Sequence, residues 1–431
     1  VTNMTVTLSA TLAANEEIDR RRRAGEQVLH LAFGEAGLPV HPALRERLVA
    51  ASGRNGYGPV AGATDLRSAA AGYWTRRGLP TDPELVVCGP GSKSLLYGLL
   101  LAIGGDIVLP MPSWVSYAAQ ADLIGAHPIL VPAPAGEGGV PDPDLVTSSV
   151  LHARAQGRTV SSLLVTLPDN PTGRLATPET VGRLVRVARE LDLIIISDEI
   201  YRDLLHDPDL PYASPAELAP ERTVITTGLS KSLALGGWRI GVARLPDGAY
   251  ELRRSLLAVA SEIWSAPAAP VQEAATYAFT DPPELLGRIA QSRRLHGAVA
   301  RAVHERFAEI GASAPAPQGG FYLYPDLGHL RLGGSADVAR TLLDEHGIGV
   351  LPGQAFGDDP AAARVRVAVS LLYGETTAQR LAALHSPDPL RLPWIAASLD
   401  HLSTGLKGLS AVRRTAPRER RPALVPTACH G

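Results

Sequence analysis

The run Ser230-Lys231-Ser232-Leu233-Ala234-Leu235-Gly236-Gly237-Trp238-Arg239-Ile240-Gly241 follows a strand-like stretch, Thr223 to Thr227. It sets a primary amine, a flanking hydroxyl and a downstream guanidinium in one Gly-rich segment. An amine condenses with an aldehyde to a Schiff base, and a guanidinium clamps a phosphate with two parallel hydrogen bonds. Most lysines are solvated surface groups. Lys231 therefore acquires meaning only from the segments around it.

The nearest of these is Ser197-Asp198-Glu199-Ile200-Tyr201, directly after the apolar run Leu193-Ile194-Ile195-Ile196. Four branched residues without polar alternation read as a buried parallel strand. Asp198 then stands at the strand's C-terminal end, the edge where open α/β sheets bind ligands. Taken alone it is equally a helix cap. Further upstream, Leu163-Leu164-Val165 runs into Leu167-Pro168-Asp169-Asn170-Pro171-Thr172-Gly173, a turn by composition. Val86-Val87-Cys88 is followed by Gly89-Pro90-Gly91-Ser92-Lys93 and the apolar helical stretch Leu95 to Ile103. Glycines let a backbone approach an anion, and a helix N-terminus offers free N–H groups. Ile107-Val108-Leu109 leads to Pro112-Ser113-Trp114-Val115-Ser116-Tyr117. Downstream, Arg364-Val365-Arg366-Val367-Ala368-Val369-Ser370 alternates as a half-buried strand should.

Each segment alone has a plain structural reading; in this order and at these intervals they resemble one family. The chain is similar to the class I/II aminotransferases, fold type I enzymes of the aspartate aminotransferase kind that use pyridoxal 5'-phosphate (PLP), an aldehyde carrying a phosphate. The resemblance covers about Ser9 to Ser370. It implies an α/β fold, with a mainly parallel sheet flanked by helices in a large domain and a smaller α/β domain beside it. It implies that Lys231 forms the Schiff base and later serves as base for the substrate α-proton. Asp198 would keep the ring nitrogen protonated, and Tyr201 and Asn170 would bond the ring's phenolic oxygen. Trp114 would stack on the ring, and Gly91, Ser92, Lys93, Ser230 and Arg239 would surround the phosphate. Tyr57, in Asn55-Gly56-Tyr57-Gly58-Pro59, would reach the phosphate of a neighbouring subunit, which implies a homodimer. Arg366 would grip the substrate α-carboxylate against Gly34; Arg364 and Arg366 share one face of a regular strand, one of the two being free to serve as a surface charge, and the register follows the family pattern. Gly319-Gly320-Phe321-Tyr322-Leu323 matches a strand of the small domain.

Departures are few. Ala36-Gly37 follows Glu35 where relatives often carry Pro. Gly228 stands where some relatives place a phosphate-binding hydroxyl. A Pro-rich connection, Ser386 to Pro393, precedes a last helix expected over Trp394 to Leu409, weakened by Gly405 and Gly408.

Composition narrows the rest. The chain has 431 residues, enough for more than one domain, and a formal charge of -2, which favours neither nucleic acid nor acidic membranes. Cys88 and Cys429, far apart, offer no disulfide framework and no metal site. No membrane span or signal-peptide pattern is read, so a cytoplasmic enzyme is expected. The expected division is an N-terminal segment 1-51 joining the small domain, a large domain 52-280, a small domain 281-410 and a disordered tail 411-431. The expected activity is transfer of an amino group between an α-amino acid and a 2-oxo acid. Another PLP reaction (lyase, replacement, oxidase or carbon–carbon bond formation) is the alternative, with an effector-sensing regulator domain behind both. No residue is assigned to a substrate side chain.

Overall fold

The computed structural model describes the backbone of residues 8–415 and the side chains of residues 8–411. A seven-stranded sheet forms its centre. In chain order its strands are β2 (Val86–Gly89), β3 (Asp106–Met111), β4 (Ile129–Pro132), β5 (Val160–Thr166), β6 (Ile194–Asp198), β7 (Thr223–Gly228) and β8 (Gly241–Arg244). Their spatial order is β2-β8-β7-β6-β5-β3-β4, with β8 antiparallel to both neighbours and the other adjacent pairs parallel. The branched runs are buried on both faces. Leu163 and Ile195 join one apolar cluster with Val181, Leu184 and Ala188 of helix Pro178–Glu190. Their neighbours Leu164 and Ile196 join another with Leu96, Leu100 and Tyr117. Covering both faces is what a parallel sheet requires.

Helix Pro178–Glu190 begins as its sequence dictates. The Thr177 hydroxyl accepts from the Thr180 N–H at 3.2 Å, and proline fills the first turn.

Beside this body lie short strands β1 (Leu29–His30), β9 (Tyr322–Leu323), β10 (Ile348–Gly349), β11 (Leu351–Pro352) and β12 (Val365–Ala368). β1 pairs in parallel with β10, and β12 lies antiparallel between β11 and β9. Leu29 and Leu31 share an apolar cluster with Leu295, Phe307, Leu342, Val367 and Leu402. Helix Pro283–Glu309 joins the two bodies: Leu285 and Ile289 pack with the large-sheet side, Leu295 to Phe307 with the other. We propose these bodies as the two domains; of the N-terminal segment 1-51, Leu29, Leu31 and Leu38 join the smaller, whereas helix Pro42–Ala50 packs on the larger through Leu44, against the expectation that the whole segment joins the small domain.

The observed strands are shorter than the sequence suggests at two places. Of Gly319 to Leu323 only Tyr322 and Leu323 form a strand, Gly319 making an isolated bridge to Leu205, and Arg364 precedes β12, bridging Asp326 rather than lying in the strand. The last helix is longer, Pro393–Thr415, running past Leu409 and through the first residues of the expected tail. The rest of that tail, 416–431, lies outside the described residues. Gly405 and Gly408 do not break the helix because they let it approach its neighbours. A Cβ at Gly405 would stand 2.4 Å from Ile348 Cδ1, and one at Gly408 2.7 Å from His346 Cε1.

Candidate active site

The C-terminal ends of the large sheet's parallel strands open on a cavity of about 520 Å³. The turn after β5 brings Asn170, the end of β6 brings Asp198, and the turn after β7 brings Ser230 and Lys231. The smaller body contributes Gly34, Tyr322 and Arg366 to the cavity wall. Trp114, Tyr201, Ser92, Lys93 and Arg239 also line it. The cavity thus gathers groups that the sequence holds far apart.

Lys231 Nζ donates to the Gly34 carbonyl at 2.5 Å. Burial, then the nearby Arg366 charge, lowers its pKa from 10.5 to about 8. Asp198 is buried, and loss of solvent pushes its carboxyl up to about 6. Its Oδ2 accepts from the Tyr117 hydroxyl at 2.9 Å, and Oδ1 accepts from the Ile200 N–H at 3.3 Å. Tyr117 lies 3.0 Å from Thr166 Oγ1 and meets the Trp114 ring edge-on. The Lys93 ammonium lies 5.0 Å from the Trp114 ring centroid. Burial, then Arg239, lowers its pKa.

The two arginines around β12 separate clearly. The Arg364 guanidinium pairs with Asp358 at 2.9 Å and Asp326 at 3.3 Å. Arg366 is buried; it donates to the Ala32 carbonyl at 2.5 Å and to Asn170 Oδ1 at 3.3 Å. Only Arg366 reaches the cavity. The Asn170 turn is itself pinned: Gln318 N–H donates to Gly173 O at 2.8 Å, and a Cβ at Gly173 would stand 2.3 Å from the Tyr322 carbonyl.

After β2, Gly91 has φ +88° and precedes helix Ser92–Ile103, whose first N–H groups have no helical acceptor and form a cup at the cavity's edge. A Cβ at Gly91 would stand 2.3 Å from Arg239 Nη2. Arg239, at φ +54°, is braced by the Gly236 carbonyl at 2.8 Å. Tyr57 is absent from the cavity wall of its own chain and is 99% exposed.

The departure at Ala36-Gly37 has a local cause. Gly37 has φ +66°, and a Cβ there would stand 2.4 Å from the Ser370 carbonyl, just beyond β12. Ser370 also donates to the Glu35 carbonyl.

Sequence reading passed over several groups found here. Tyr117 and Tyr322 lay inside quoted segments, but nothing local marked their partners. Ser9 and Thr11, at the start of helix Ala10–Arg23, line the cavity and carried no motif. Among the described residues no cluster of three His, Cys, Asp or Glu is arranged for a metal, and no helix is long and apolar enough to cross a membrane.

Residues 27–381 match the family model "Aminotransferase class I and II". A probable aspartate/prephenate aminotransferase of Thermus aquaticus is 32% identical over 354 residues, covering 81% of this chain and 89% of its own. The aspartate aminotransferase of Geobacillus stearothermophilus is 32% identical over 392 residues, covering 87% and 96%. The solved aspartate aminotransferase of Thermus thermophilus with maleate superposes with a TM-score of 0.79 at 28% identity, covering 93% of this chain and 97% of that one.

Proposed function

The chain belongs to the class I and II aminotransferases and is a PLP-dependent aminotransferase; from that premise we propose that its amino donor is a dicarboxylic amino acid, aspartate foremost, and its acceptor a 2-oxo acid. The observation that carries the donor assignment is Lys93, which the resemblance set at the phosphate and whose position beside Trp114 we assign instead to the substrate side chain. Its ammonium lies beside Trp114 on the cavity wall, apart from the buried guanidinium of Arg366. A substrate with two carboxylates matches two such cations. Ser9 and Thr11 add hydroxyls to the same wall lining. The relatives named above are aspartate or aspartate/prephenate aminotransferases.

The residues fit the cofactor. The Gly91–Arg239 contact leaves no room for a side chain at a cup of free N–H groups, which suits a phosphate. Asp198 keeps an ionisable carboxyl at the end of β6, away from any cation within salt-bridge distance. When bound, PLP supplies a ring that takes up the electron pair left at the substrate α-carbon. The protein's own work is positioning and proton handling. Gly91, Ser92, Ser230 and Arg239 would hold the phosphate; Asp198 would hold a proton at the ring nitrogen; Trp114 would fix the ring plane; Asn170 and Tyr201 would bond the phenolic oxygen. Lys231 would be the residue that holds the aldehyde carbon, and its free amine would be placed to take the substrate α-proton. An amine with a pKa near 8 is a usable base at neutral pH. Arg366, braced by Ala32 and Asn170, fixes the α-carboxylate.

Tyr57 completes the proposal. A tyrosine left fully exposed beside a Gly-rich turn fits a role in a second copy's cavity, so the active form is a homodimer.

The test is a half-reaction without acceptor. Aspartate should convert the visible PLP absorption to that of pyridoxamine phosphate, with oxaloacetate as product. Lys93→Met should cut kcat/KM for aspartate by roughly 10- to 100-fold, the value of a charge-assisted hydrogen bond. Alanine turnover should barely change. Ammonia release in place of pyridoxamine phosphate would overturn transamination; equal losses for both donors would overturn the role of Lys93.

A further inference from the structure

The small domain contributes a phenol to the cavity that the functional reading above does not use. Tyr322 stands on β9, buried, with its hydroxyl 2.9 Å from the Tyr201 hydroxyl and 3.4 Å from the Gly34 carbonyl. The two rings meet edge-on, centroids 5.6 Å apart. The Arg366 guanidinium carbon lies 5.0 Å from the Tyr322 ring centroid. The fit around the hydroxyl is close: a Cβ at Gly34 would stand 2.3 Å from it. Gly34 is thus glycine in part because this oxygen occupies the space.

A tyrosine hydroxyl carries one proton and accepts through lone pairs. The 2.9 Å contact to Tyr201 is a full hydrogen bond in which either hydroxyl can donate, and the 3.4 Å approach to the Gly34 carbonyl is marginal. Among the described residues Tyr201 makes no other side-chain hydrogen bond, and it lines the cavity. When Tyr201 turns its proton into the cavity, Tyr322 is the group left to donate to it.

We propose that Tyr322 is a positioning residue for the reaction: its hydroxyl donates to Tyr201 and so aims and strengthens the Tyr201 donor toward the phenolic oxygen of the cofactor. The proposal rests on the role given to Tyr201 above. It links the small domain to the cofactor's protonation state through a single hydrogen bond. Burial raises the Tyr322 pKa, and the adjoining Arg366 charge works against that rise.

A pH titration of the visible absorption band of PLP-loaded protein tests this without recourse to turnover. Donors to the phenolic oxygen stabilise its anion, which lowers the pH at which the Lys231-linked cofactor loses its proton. Tyr322→Phe, which removes one oxygen, should raise that midpoint by about 0.3–1 pH unit. Tyr201→Phe should raise it further. The double variant should match Tyr201→Phe alone, because Tyr322 acts only through Tyr201. Replacing Tyr322 with 3-fluorotyrosine, a stronger donor of nearly the same volume, should move the midpoint down. Disturbed packing would not reverse sign in this way. An unchanged midpoint in Tyr322→Phe, or additive shifts in the double variant, would overturn the proposal while leaving the assignment of Tyr201 intact. An unchanged midpoint in Tyr201→Phe would overturn both.

Discussion

Lys231 shows what burial does to one amine. With its pKa lowered from 10.5 to about 8, the folded chain holds fewer protons than the unfolded chain between those values. Stability of the apoprotein therefore climbs as pH rises from about 8 toward 10.5, and below 8 the full penalty of a buried charge persists. Apoprotein of Lys231→Met should melt higher than the parent at pH 7, with the gap closing as pH approaches 10.5. Thermal scans across that range check it; a parent that is the more stable at pH 7 would contradict it. Residues of this kind were legible in the sequence because the chemistry dictates their type at strand ends. Lys231, Asp198, Asn170 and Arg366 all come to one cavity. Tyr117 and Tyr322 were not legible as functional, because each depends on a partner distant in sequence, 81 and 121 residues away. Pairing of that range leaves no local periodicity to read.

Elements show the same division between local and distant causes. Helix Pro178–Glu190 was readable at both ends and along its stripe, since cap, proline and apolar spacing are all local signals. The long parallel strands were readable from their branched runs. The short strands of the small domain were overestimated, since alternation continues where pairing partners stop: β9 has only two paired residues. The last helix was underestimated because Gly405 and Gly408 look like breakers until their neighbours are known. Two glycines make the contrast quantitative. Gly37→Ala meets a rigid backbone carbonyl and a positive φ, and should cost about 1–3 kcal/mol in urea unfolding. Gly405→Ala meets chiefly the tip of the Ile348 side chain, which can turn aside, and more loosely His346 Cβ at 3.2 Å, and should cost less. Equal losses would mean that the Gly37 loop is free to move off Ser370.

At the scale of the molecule, one exposed tyrosine bears on assembly. If Tyr57 serves a neighbouring cavity, a mixture of Lys231→Ala and Tyr57→Ala chains re-forms one complete site per mixed dimer. Each variant alone should be impaired, and unfolding and refolding the two together should recover activity toward a quarter of the parent level, a statistical outcome of random pairing in roughly half the dimers. No recovery would place Tyr57 outside catalysis. The general architecture, a helix-covered parallel sheet with a smaller body beside it, followed from patterning; how the N-terminal strand β1 finds β10 did not, because two residues carry no pattern of their own. The placement of β12 has a final consequence. It is hydrogen-bonded on both sides, Leu351 opposite Arg366 and Leu323 opposite Val367. Were the strand to slide by a single position, every side chain would swap faces, and valine would stand where Arg366, the proposed carboxylate anchor, does. Gain or loss of one codon in the connection before Arg364 must therefore be absorbed as a bulge in that connection, or the enzyme becomes blind to its substrate without losing its fold.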